Sequence, residues 1–314
     1  MYLHAISHYV PENVLTNAYF SGLNGLTDDW IFSRTGIKER RKAGEGENAD
    51  TMSVEAVTGL FEKSQIKARD IDLILTASYS PFDTVGTIAH KIQQNFSISD
   101  AKALYLSSAC SSFINAAEIV QAFFQTGKSS KALVTAAEHN SLYNNEHDER
   151  SGHLWGDGSA AVIFTKERIA DTDFEVVDIT THGLGHVGRG PEGVYLEPTA
   201  DGLVMPYGKD VFIHACNHME KIAREILKNN NFSIDDLDYL IPHQANIRII
   251  NQVVEKLGIH PEQSLNNIEY LGNTGCASAV ISLSENIRKI EKGNLMVITV
   301  FGGGYSSGAM LLKA

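Results

Sequence analysis

The chain has 314 residues, of which 43 % are hydrophobic and 20 % are charged, and this balance fits one large globular domain or two closely packed halves. Its formal net charge of −12 argues against nucleic-acid binding, because neutralising a phosphate backbone requires a clustered positive field. The first residues are too polar for a secretory signal or a membrane span, so no membrane association is expected. We therefore expect a cytoplasmic protein whose three cysteines are free thiols rather than a disulfide framework.

Apolar, β-branched runs alternate with helical patterns along the chain, which predicts an α/β architecture. The predicted strands are residues 71–77, 103–107, 132–136, 160–164, 239–242 and 295–300. Helices are predicted at residues 112–125 and 279–292. In a parallel α/β unit, ligands bind where strands end and helices begin, so the residues at those junctions are the first candidates for a functional site.

The sequence repeats itself at a spacing of 166 residues. The spacing is shared by "DIDLIL" at Asp70 and "DLDYLI" at Asp236, by Cys110 and Cys276, by Gly127 and Gly293, and by the segments that begin at Leu60 and Ile226. Several matches at one spacing predict two copies of one βαβ-rich unit that pack as a single body. The predicted halves are residues 1–168, which carry Cys110, and residues 169–314.

Cys110 lies where the predicted strand 103–107 gives way to the predicted helix 112–125. The amino end of a helix carries partial positive charge, so we expect it to lower the pKa of the thiol and make Cys110 a nucleophile. The alternative is a small buried residue that only fills space. Cys276, at the matching place of the second half, and Cys216, in an apolar helical pattern, are predicted to be structural.

Two polar residues follow later strands and are candidate partners of this cysteine. His243 follows the strand 239–242 in "IPHQAN", and Asn273 lies between glycines in "YLGNTG". A papain-like hydrolase would use the histidine as a base that the asparagine orients. In a decarboxylative condensation, both side chains would instead donate hydrogen bonds to a thioester oxygen. The papain-like cysteine signature is absent, which disfavours the hydrolase.

Two further patterns suggest other ligands. The glycine-rich residues 300–308 lack the GK[ST] ending of a phosphate-binding loop, and we expect their glycines to bring a backbone N–H to a developing oxyanion. The pairs His214/His218 and His182/His186 have helical spacing, but no HExxH pattern or acidic ligand cluster accompanies them. We therefore expect no metal site.

Several ordered motifs together resemble one known family. The stretches "WIFSRTGIKERR", "SSACSSF", "GDGSAAVIF", "PHQANIRII", "GNTGCAS" and "FGGGYSSGAM" look like β-ketoacyl-acyl carrier protein synthase III, a condensing enzyme of the thiolase-like superfamily. The resemblance runs almost end to end and implies a thiolase-like α/β fold in which two duplicated halves form a five-layered αβαβα body. It also implies acyl transfer from an acyl thioester to Cys110, and then decarboxylative condensation with a malonyl thioester to a β-ketoacyl thioester. This chemistry serves fatty-acid or specialised lipid and polyketide biosynthesis and needs no cofactor beyond the acyl-CoA and malonyl thioester substrates.

The resemblance assigns roles to individual residues. Cys110 matches the acylated nucleophile, His243 and Asn273 match the pair that polarises the malonyl thioester, and the N–H groups of Cys110 and Gly303 match the oxyanion hole. Residues that match coenzyme A or pantetheine contacts are Trp30, Arg34, Arg150, Phe212 and Asn246. Residues that match the docking site of acyl carrier protein are Arg248 and Lys256.

The resemblance also implies a homodimer, with an acyl pocket shaped across the dimer interface. Val85 stands where a phenylalanine is common in this pocket, so a larger or differently shaped acyl group would fit. Two other functions remain open. One is an acyltransferase of the same fold that passes the acyl group to an oxygen or nitrogen nucleophile without decarboxylation. The other, from a different class, is a catalytically silent partner that binds a carrier or a related subunit.

Overall fold

The computed structural model describes residues 1–314, which form thirteen strands and ten α-helices. The strands are β1 (Tyr2–Tyr9), β2 (Val14–Thr16), β3 (Glu39–Arg41), β4 (Leu73–Ala77), β5 (Lys102–Leu106), β6 (Lys131–Glu138), β7 (Gly158–Thr165), β8 (Phe174–Gly183), β9 (Tyr195–Glu197), β10 (Gly202–Val204), β11 (Tyr239–Pro242), β12 (Leu295–Gly302) and β13 (Ser306–Lys313). The helices are α1 (Asn17–Asn24), α2 (Asp28–Thr35), α3 (Ala49–Lys63), α4 (Ile88–Asn95), α5 (Ser112–Gln125), α6 (Asn140–Tyr143), α7 (Gly208–Asn229), α8 (Ile247–Leu257), α9 (Ile268–Leu271) and α10 (Ser278–Asn286). None of these helices combines the length and the apolar character needed to cross a membrane.

Nine strands are joined in the order β11-β12-β13-β8-β1-β7-β6-β4-β5, and this order contains a repeat. The sets β1-β7-β6-β4 and β8-β13-β12-β11 have the same directions, with two antiparallel neighbours followed by a parallel one. Only two residue pairs between β1 and β8 connect the sets. The matching strands β4 and β11 begin at Leu73 and Tyr239, which reproduces the spacing of 166 seen in the sequence.

The two sets differ at their outer edges. In the first set β5 pairs with β4, whereas the corresponding place beside β11 holds only a single bridge between Leu240 and Ser264. The predicted boundary between residues 168 and 169 falls in the loop between β7 and β8. That boundary stays a prediction.

The helices form three layers around the two sets of strands. The middle layer is α5 and α10, which contact strands of both sets, while α3 and α4 cover the outer face of the first set and α7, with α8 packed against it, covers the second. The middle helices contribute buried apolar residues, among them Phe113, Val120 and Ile281, which are at most 3 % exposed and belong to a core that includes residues of both halves. This is the predicted αβαβα arrangement, and it puts the amino ends of α5 and α10 near the centre of the protein.

The six predicted strands are all present, and the helix predicted at 112–125 is α5. The helix predicted at 279–292 ends earlier than expected. The α-helix stops at Asn286, and one 3-10 turn, Ile287–Lys289, follows it. Ile290 then adopts an extended conformation before β12.

Candidate active site

Cys110 lies in a tight turn between β5 and α5. The preceding Ala109 has a φ of 50°, a left-handed conformation that costs a residue with a side chain roughly 1–2 kcal/mol. Ser112 closes the turn, since its hydroxyl accepts from the Ser108 N–H at 2.7 Å and donates to the Ala109 carbonyl at 2.6 Å. The sulfur is thereby held where the sequence predicts it, between the end of a strand and the start of a helix.

His243 follows β11 and is fixed at both its backbone and its ring. Its N–H donates to the carbonyl of Thr299 at 2.8 Å, and its Nδ1 lies 2.7 Å from the hydroxyl of Ser278. The Ser278 hydroxyl oxygen also accepts a hydrogen bond from the Gln244 N–H at 3.2 Å. The hydroxyl proton is then donated to Nδ1 of His243, which is the available acceptor. With Nδ1 accepting, the ring carries its own proton on Nε2.

Burial determines the charge of His243. The side chain is 4 % exposed, and burial lowers its pKa from 6.5 to about 4. The imidazole is therefore neutral at physiological pH. A neutral ring with a proton on Nε2 is a hydrogen-bond donor.

Asn273 is held in the loop between α9 and α10. Its backbone N–H donates to the Leu154 carbonyl at 2.9 Å, and its side-chain Oδ1 accepts from the Gly275 N–H at 3.0 Å. Because the oxygen is used within the loop, the Nδ2 group is the part of the amide that remains for a ligand. Asn273 thus supplies a second donor.

Cys110, His243 and Asn273 line one narrow cavity. Most of the remaining wall is apolar, formed by side chains such as Met205, Met219 and Phe301. The cysteine comes from the first half, whereas the histidine and asparagine come from the second. The structure therefore brings together the three residues that the sequence singled out.

A second cavity adjoins the first at Cys110. The two cavities share four lining residues, which are Cys110, Trp155, Val194 and Gly303. The rest of the second wall comes from Tyr79, Ala109 and the hairpin of β9 and β10, which contributes Tyr195, Leu196 and Leu203. One cavity offers hydrogen-bond donors, and the other is almost entirely apolar.

The expected lowering of the Cys110 pKa is wrong. Burial, together with the negative charge of Glu138, raises the pKa of the thiol to about 12. The N–H groups of Gly303 and Cys110, beside the sulfur, act in the opposite direction but are outweighed. Cys110 is 9 % exposed and lies among apolar side chains, so the loss of hydration of a thiolate dominates over its favourable contacts. The resting residue is a thiol.

Two consecutive glycines allow close backbone packing at the end of β12, and the first makes room for the backbone N–H of Cys110. A Cβ atom on Gly302 would lie 2.7 Å from the Cys110 nitrogen, which is too close for any side chain. On the next residue, Gly303, a Cβ would lie 3.1 Å from the Val194 carbonyl oxygen. The N–H groups of Cys110 and Gly303 both lie beside the Cys110 sulfur. Their use as an oxyanion hole stays a prediction.

Glu138 is a buried acid beside this site that the sequence analysis did not identify. Its carboxylate accepts from the hydroxyls of Ser78 and Ser80 and from the N–H groups of Tyr79 and Cys276, the last at 3.4 Å. No cation pairs with it, and burial raises its pKa to about 7. The sequence around Glu138 indicates only the end of a strand. The residues that contact its carboxylate are distant in the chain, so no local pattern identifies it.

Of the residues predicted to bind coenzyme A, Arg34 and Arg150 are exposed and the others are half-buried. The Arg34 guanidinium stacks on Trp30 with 4.4 Å between Cζ and the ring centroid, and the Trp30 ring meets His153 edge-on at 5.5 Å. Arg150 lies exposed in the same loop as His153. This is an exposed cation–π pair of the kind that stacks on a base.

Phe212 and Asn246 do not line the first cavity, although residues beside them do. Phe212 packs against the core of the second half, and Val211 contributes to the wall. Asn246 caps α8 by accepting from the Arg248 N–H at 2.8 Å, and Ala245 contributes to the wall. Contact between either residue and a pantetheine arm stays a prediction.

Val85 and the two basic residues of α8 lie on the surface. Val85 is 85 % exposed in the loop between β4 and α4 and lines neither cavity, so a contact with an acyl group would require a second copy of the chain. The Arg248 guanidinium donates to the Ser33 carbonyl at 2.9 Å, and Lys256 donates to Asn217 at 2.5 Å. Both basic side chains are exposed.

The remaining cysteines and histidines do not form another site. All three cysteines are free thiols, as predicted, and Cys216 and Cys276 are each 3 % exposed. The rings of His214 and His218 are 6.1 Å apart and pack near Phe301 and Tyr305. No three histidine, cysteine or acidic side chains come close enough together to hold a metal ion.

Comparison with known proteins gives one consistent result. Residues 105–185 match the family described as 3-oxoacyl-[acyl-carrier-protein (ACP)] synthase III, and residues 227–314 match its C-terminal domain. The β-ketoacyl-[acyl-carrier-protein] synthase III of Histophilus somni is 35 % identical over 98 % of both chains, and that of Campylobacter jejuni is 34 % identical over 99 % of this chain and 97 % of the relative.

Solved structures agree with this result. The crystal structure of 3-oxoacyl-[acyl-carrier-protein] synthase III from Aquifex aeolicus superimposes with a TM-score of 0.93 at 33 % identity, covering 100 % of this chain and 99 % of that one. The priming β-ketosynthase of the R1128 polyketide pathway gives a TM-score of 0.90 at 26 % identity, covering 99 % and 95 %. The chain therefore belongs to the β-ketoacyl-acyl carrier protein synthase III family of condensing enzymes.

Proposed function

We propose that this protein joins an acyl group to the two-carbon unit of a malonyl thioester through an acyl-cysteine intermediate on Cys110. The observation that carries the proposal is the cavity shared by a cysteine and two neutral hydrogen-bond donors, His243 and Asn273. Membership of a family of condensing enzymes supports the same reaction. The product is a β-ketoacyl thioester.

In the first half-reaction, the sulfur of Cys110 attacks the carbonyl carbon of an acyl thioester. The negative charge that develops on the carbonyl oxygen is stabilised by the N–H groups of Cys110 and Gly303. The bond between the acyl carbon and the carrier sulfur then breaks, and the carrier leaves as a thiol with the proton that Cys110 gave up. The apolar cavity beside Tyr79 receives the acyl chain.

In the second half-reaction, a malonyl thioester enters the cavity that His243 and Asn273 line. Nε2–H of His243 and Nδ2–H of Asn273 donate to the thioester oxygen, which becomes negatively charged as carbon dioxide leaves. A neutral imidazole is required for this role, and the lowered pKa of His243, about 4, keeps it neutral. The resulting carbanion attacks the acyl carbon on Cys110, the new carbon–carbon bond forms, and the sulfur is released and reprotonated.

A transferase that passes the acyl group to an oxygen or nitrogen nucleophile is the closest alternative. Such an enzyme needs a base that accepts a proton from the incoming nucleophile. His243 with its proton on Nε2, beside a second donor from Asn273, is arranged to donate rather than to accept. This arrangement favours condensation.

The partners of the reaction belong to the same proposal. Acyl-CoA or acyl carrier protein would deliver the thioesters, with the Trp30–Arg34 pair positioned for a nucleotide and Arg248 and Lys256 for an acidic carrier. A homodimer is supported by the outer edge of β5, which has no strand beside it and carries Leu104 at 38 % exposure. A cytoplasmic location fits the substrates.

The test has two measurements on the same sample. The protein is incubated with acetyl-CoA and its intact mass is recorded, and malonyl thioester labelled at the free carboxyl carbon is then added to follow release of carbon dioxide. An acetyl adduct that peptide mapping places on Cys110, followed by carbon dioxide release, supports condensation. An adduct without carbon dioxide release favours the acyltransferase. No adduct would favour a catalytically silent binding partner, and Cys216→Ala is the matched control that retains the adduct.

A further inference from the structure

The turn between β12 and β13 carries the Gly303 N–H and contains a single side chain. The turn consists of Gly303, Gly304 and Tyr305, because Gly302 and Ser306 are the last residues that pair across the two strands. A glycine has no side chain to pack and loses more conformational freedom on folding than any other residue. Within the turn, Tyr305 is therefore the residue that can fix the position of the Gly303 N–H.

Tyr305 is held at its ring, its backbone and its hydroxyl. The residue is 2 % exposed, and its ring packs against that of Phe301 with 5.0 Å between the centroids. Its carbonyl accepts a hydrogen bond from the Leu184 N–H at 2.8 Å. Its hydroxyl donates to Oδ2 of Asp210 at 2.8 Å. This last bond connects the turn to the beginning of α7.

Asp210 joins three segments that are separate in the sequence. Its Oδ2 also accepts from the backbone N–H of Arg189, in the loop between β8 and β9, at 2.9 Å. Its Oδ1 lies 3.6 Å from Nε2 of His214, one helical turn further along α7. The loop packs so closely that a Cβ atom on Gly188 would lie 2.5 Å from Oδ2. One carboxylate thus ties α7 to the β12–β13 turn and to the β8–β9 loop.

The three segments that Asp210 joins all contribute to the candidate active site. Val194, at the end of the β8–β9 loop, lines both cavities, as Gly303 does. From α7, Val211 and Ala215 line the first cavity. Asp210 itself lines neither cavity. It therefore acts on the site through the segments that it holds in place.

We propose that Asp210 is a positioning residue that holds the Gly303 N–H in the oxyanion hole through its hydrogen bond with Tyr305. The proposal rests on the proposed function, because it takes this N–H as a donor to the acyl carbonyl oxygen. Donors stabilise a developing oxyanion best when they are already oriented before the reaction. The bond accordingly increases the rate of acyl transfer and not the affinity for the acyl thioester.

The test compares two reactions of the same sulfur. Acetyl-CoA transfers its acetyl group to Cys110, and negative charge develops on the carbonyl oxygen. Methyl methanethiosulfonate forms a methyl disulfide with Cys110 and releases methanesulfinate, so this reaction has no carbonyl oxygen to stabilise. Both rates are measured by peptide mapping of quenched samples, with acetyl-CoA over a range of concentrations.

Tyr305→Phe keeps the ring and removes the hydroxyl. We expect the maximal rate of acetylation to fall about tenfold, which is less than the roughly 10²–10³-fold loss that follows removal of an oxyanion donor. The half-saturating concentration of acetyl-CoA and the rate of disulfide formation should both change by less than about twofold, because the bond does not contribute to ground-state binding.

Variants of Asp210 test the carboxylate directly. Asp210→Ala should reduce the maximal rate at least as much as Tyr305→Phe, because it also releases the Arg189 N–H. Asp210→Asn should restore most of the rate, because an amide oxygen can accept both hydrogen bonds. The double variant should be no slower than Asp210→Ala alone, since both changes remove the same bond.

The matched control is Tyr9→Phe. The Tyr9 hydroxyl also donates to a carboxylate, that of Glu47, but Tyr9 lines neither cavity. This variant should keep the wild-type rates of both reactions. A loss of acetylation equal to that in Tyr305→Phe would contradict a specific role of the Tyr305–Asp210 bond.

Three results for the other variants would overturn the proposal. These are a wild-type acetylation rate in Tyr305→Phe, an equal loss of disulfide formation in that variant, and an Asp210→Asn variant as slow as Asp210→Ala. If acetyl-CoA does not acetylate the wild type, the proposed function is overturned instead. The same comparison of variants with p-nitrophenyl acetate, which presents the same acetyl carbonyl without a coenzyme, then decides on Asp210 by the same criteria.

Discussion

The two halves of the protein place a cysteine at the same point of the same topology, yet only Cys110 lines the two cavities of the candidate active site. Cys110 and Cys276 are 166 residues apart, and each follows a residue in the left-handed conformation, Ala109 at φ 50° and Gly275 at φ 55°. Both thiols are buried, and burial raises the pKa of both. Position and burial therefore do not distinguish the two sulfurs.

The difference lies at the end of the strand that faces each cysteine from the other half. β6 ends at Glu138, which accepts a hydrogen bond from the Cys276 N–H, whereas β12 ends at Gly302 and leads to the Gly303 N–H beside the Cys110 sulfur. The Glu138 carboxylate disfavours negative charge on both sulfurs, but only Cys276 is also hydrogen-bonded to it, whereas the N–H groups of Cys110 and Gly303 favour the charge on Cys110. Cys276 also donates to the Ala77 carbonyl at 3.4 Å. The comparison teaches that hydrogen-bond donors and empty space, rather than a helix terminus alone, make a cysteine usable as a nucleophile.

Exchanging each cysteine for alanine is the most severe test of this comparison. Cys110→Ala should abolish the acyl adduct and condensation, because no other group reaches the shared wall of the two cavities. Cys276→Ala should retain the adduct and lose only packing. Intact mass after incubation with acetyl-CoA measures both, and loss of the adduct in Cys276→Ala would show that the two sites are not functionally distinct.

The next largest effect is expected at the end of β12. Gly302→Ala places a Cβ atom 2.7 Å from the Cys110 nitrogen and should displace that N–H from the oxyanion hole. We expect the rate of Cys110 acylation to fall by roughly 10²–10³-fold, as when one oxyanion donor is removed. The matched control is Gly183→Ala, where a Cβ meets no atom within 4 Å. The acylation rates are measured by mass spectrometry of samples quenched at successive times. Equal rates in the two variants would contradict the role of the Cys110 N–H.

The buried titratable groups of the two halves should give stability profiles of opposite sign. For His243 the pKa is lowered from 6.5 to about 4, so its contribution to stability is present above pH 6.5 and is lost as the pH falls through 4. For Glu138 the pKa is raised from 4.5 to about 7, so its contribution is present below pH 4.5 and is lost as the pH rises through 7. Each shift corresponds to about 3 kcal/mol.

Two variants separate the contributions of His243 and Glu138 to the pH dependence of stability. The free energy of unfolding in urea between pH 4.5 and 7 should decrease with rising pH in His243→Gln, where the Glu138 contribution remains. It should increase with pH in Glu138→Gln, where the His243 contribution remains. Identical pH profiles for both variants would show that these groups do not titrate as described.

The smallest expected effect is a change in stability at the residue that precedes Cys110, which differs from the residue that precedes Cys276. Ala109 adopts a conformation that glycine adopts at the matching position, Gly275. Ala109→Gly should therefore raise the free energy of unfolding by about 1 kcal/mol, because it relieves left-handed strain at a cost in chain entropy that is smaller. Urea denaturation measures the change. A loss of stability would mean that the Ala109 side chain contributes more through packing than it costs through strain.

Much of the fold and the three central residues could be predicted from sequence because the signals are local. A strand, a run of small residues and a helix surround Cys110, a proline ends the strand before His243, and glycines flank Asn273. The spacing of 166 residues then indicated that the two halves share one topology. The strands β1 and β8 were not predicted, because their mixed polar and apolar residues reflect partial burial rather than a clear period.

The properties that were missed depend on contacts between distant segments. The pKa of Cys110 is set by burial beneath residues from both halves, which no local pattern reports. Glu138 lies at the end of a strand without a recognisable motif, and its role comes from Ser78, Ser80 and Cys276. The close contact between Tyr79 and Gly275 likewise exists only where the two halves pack together.

Because Cys110 belongs to the walls of both cavities, one of them can be filled while the other is empty. A chain bonded to the sulfur and lying against Tyr79 leaves the space beside His243 and Asn273 vacant, so a second thioester does not have to displace the first. The spent carrier must depart before its successor arrives, and no ternary complex of two free substrates forms. Double-reciprocal plots at several fixed concentrations of the second substrate are then expected to be parallel lines, the kinetic sign of a substituted-enzyme cycle.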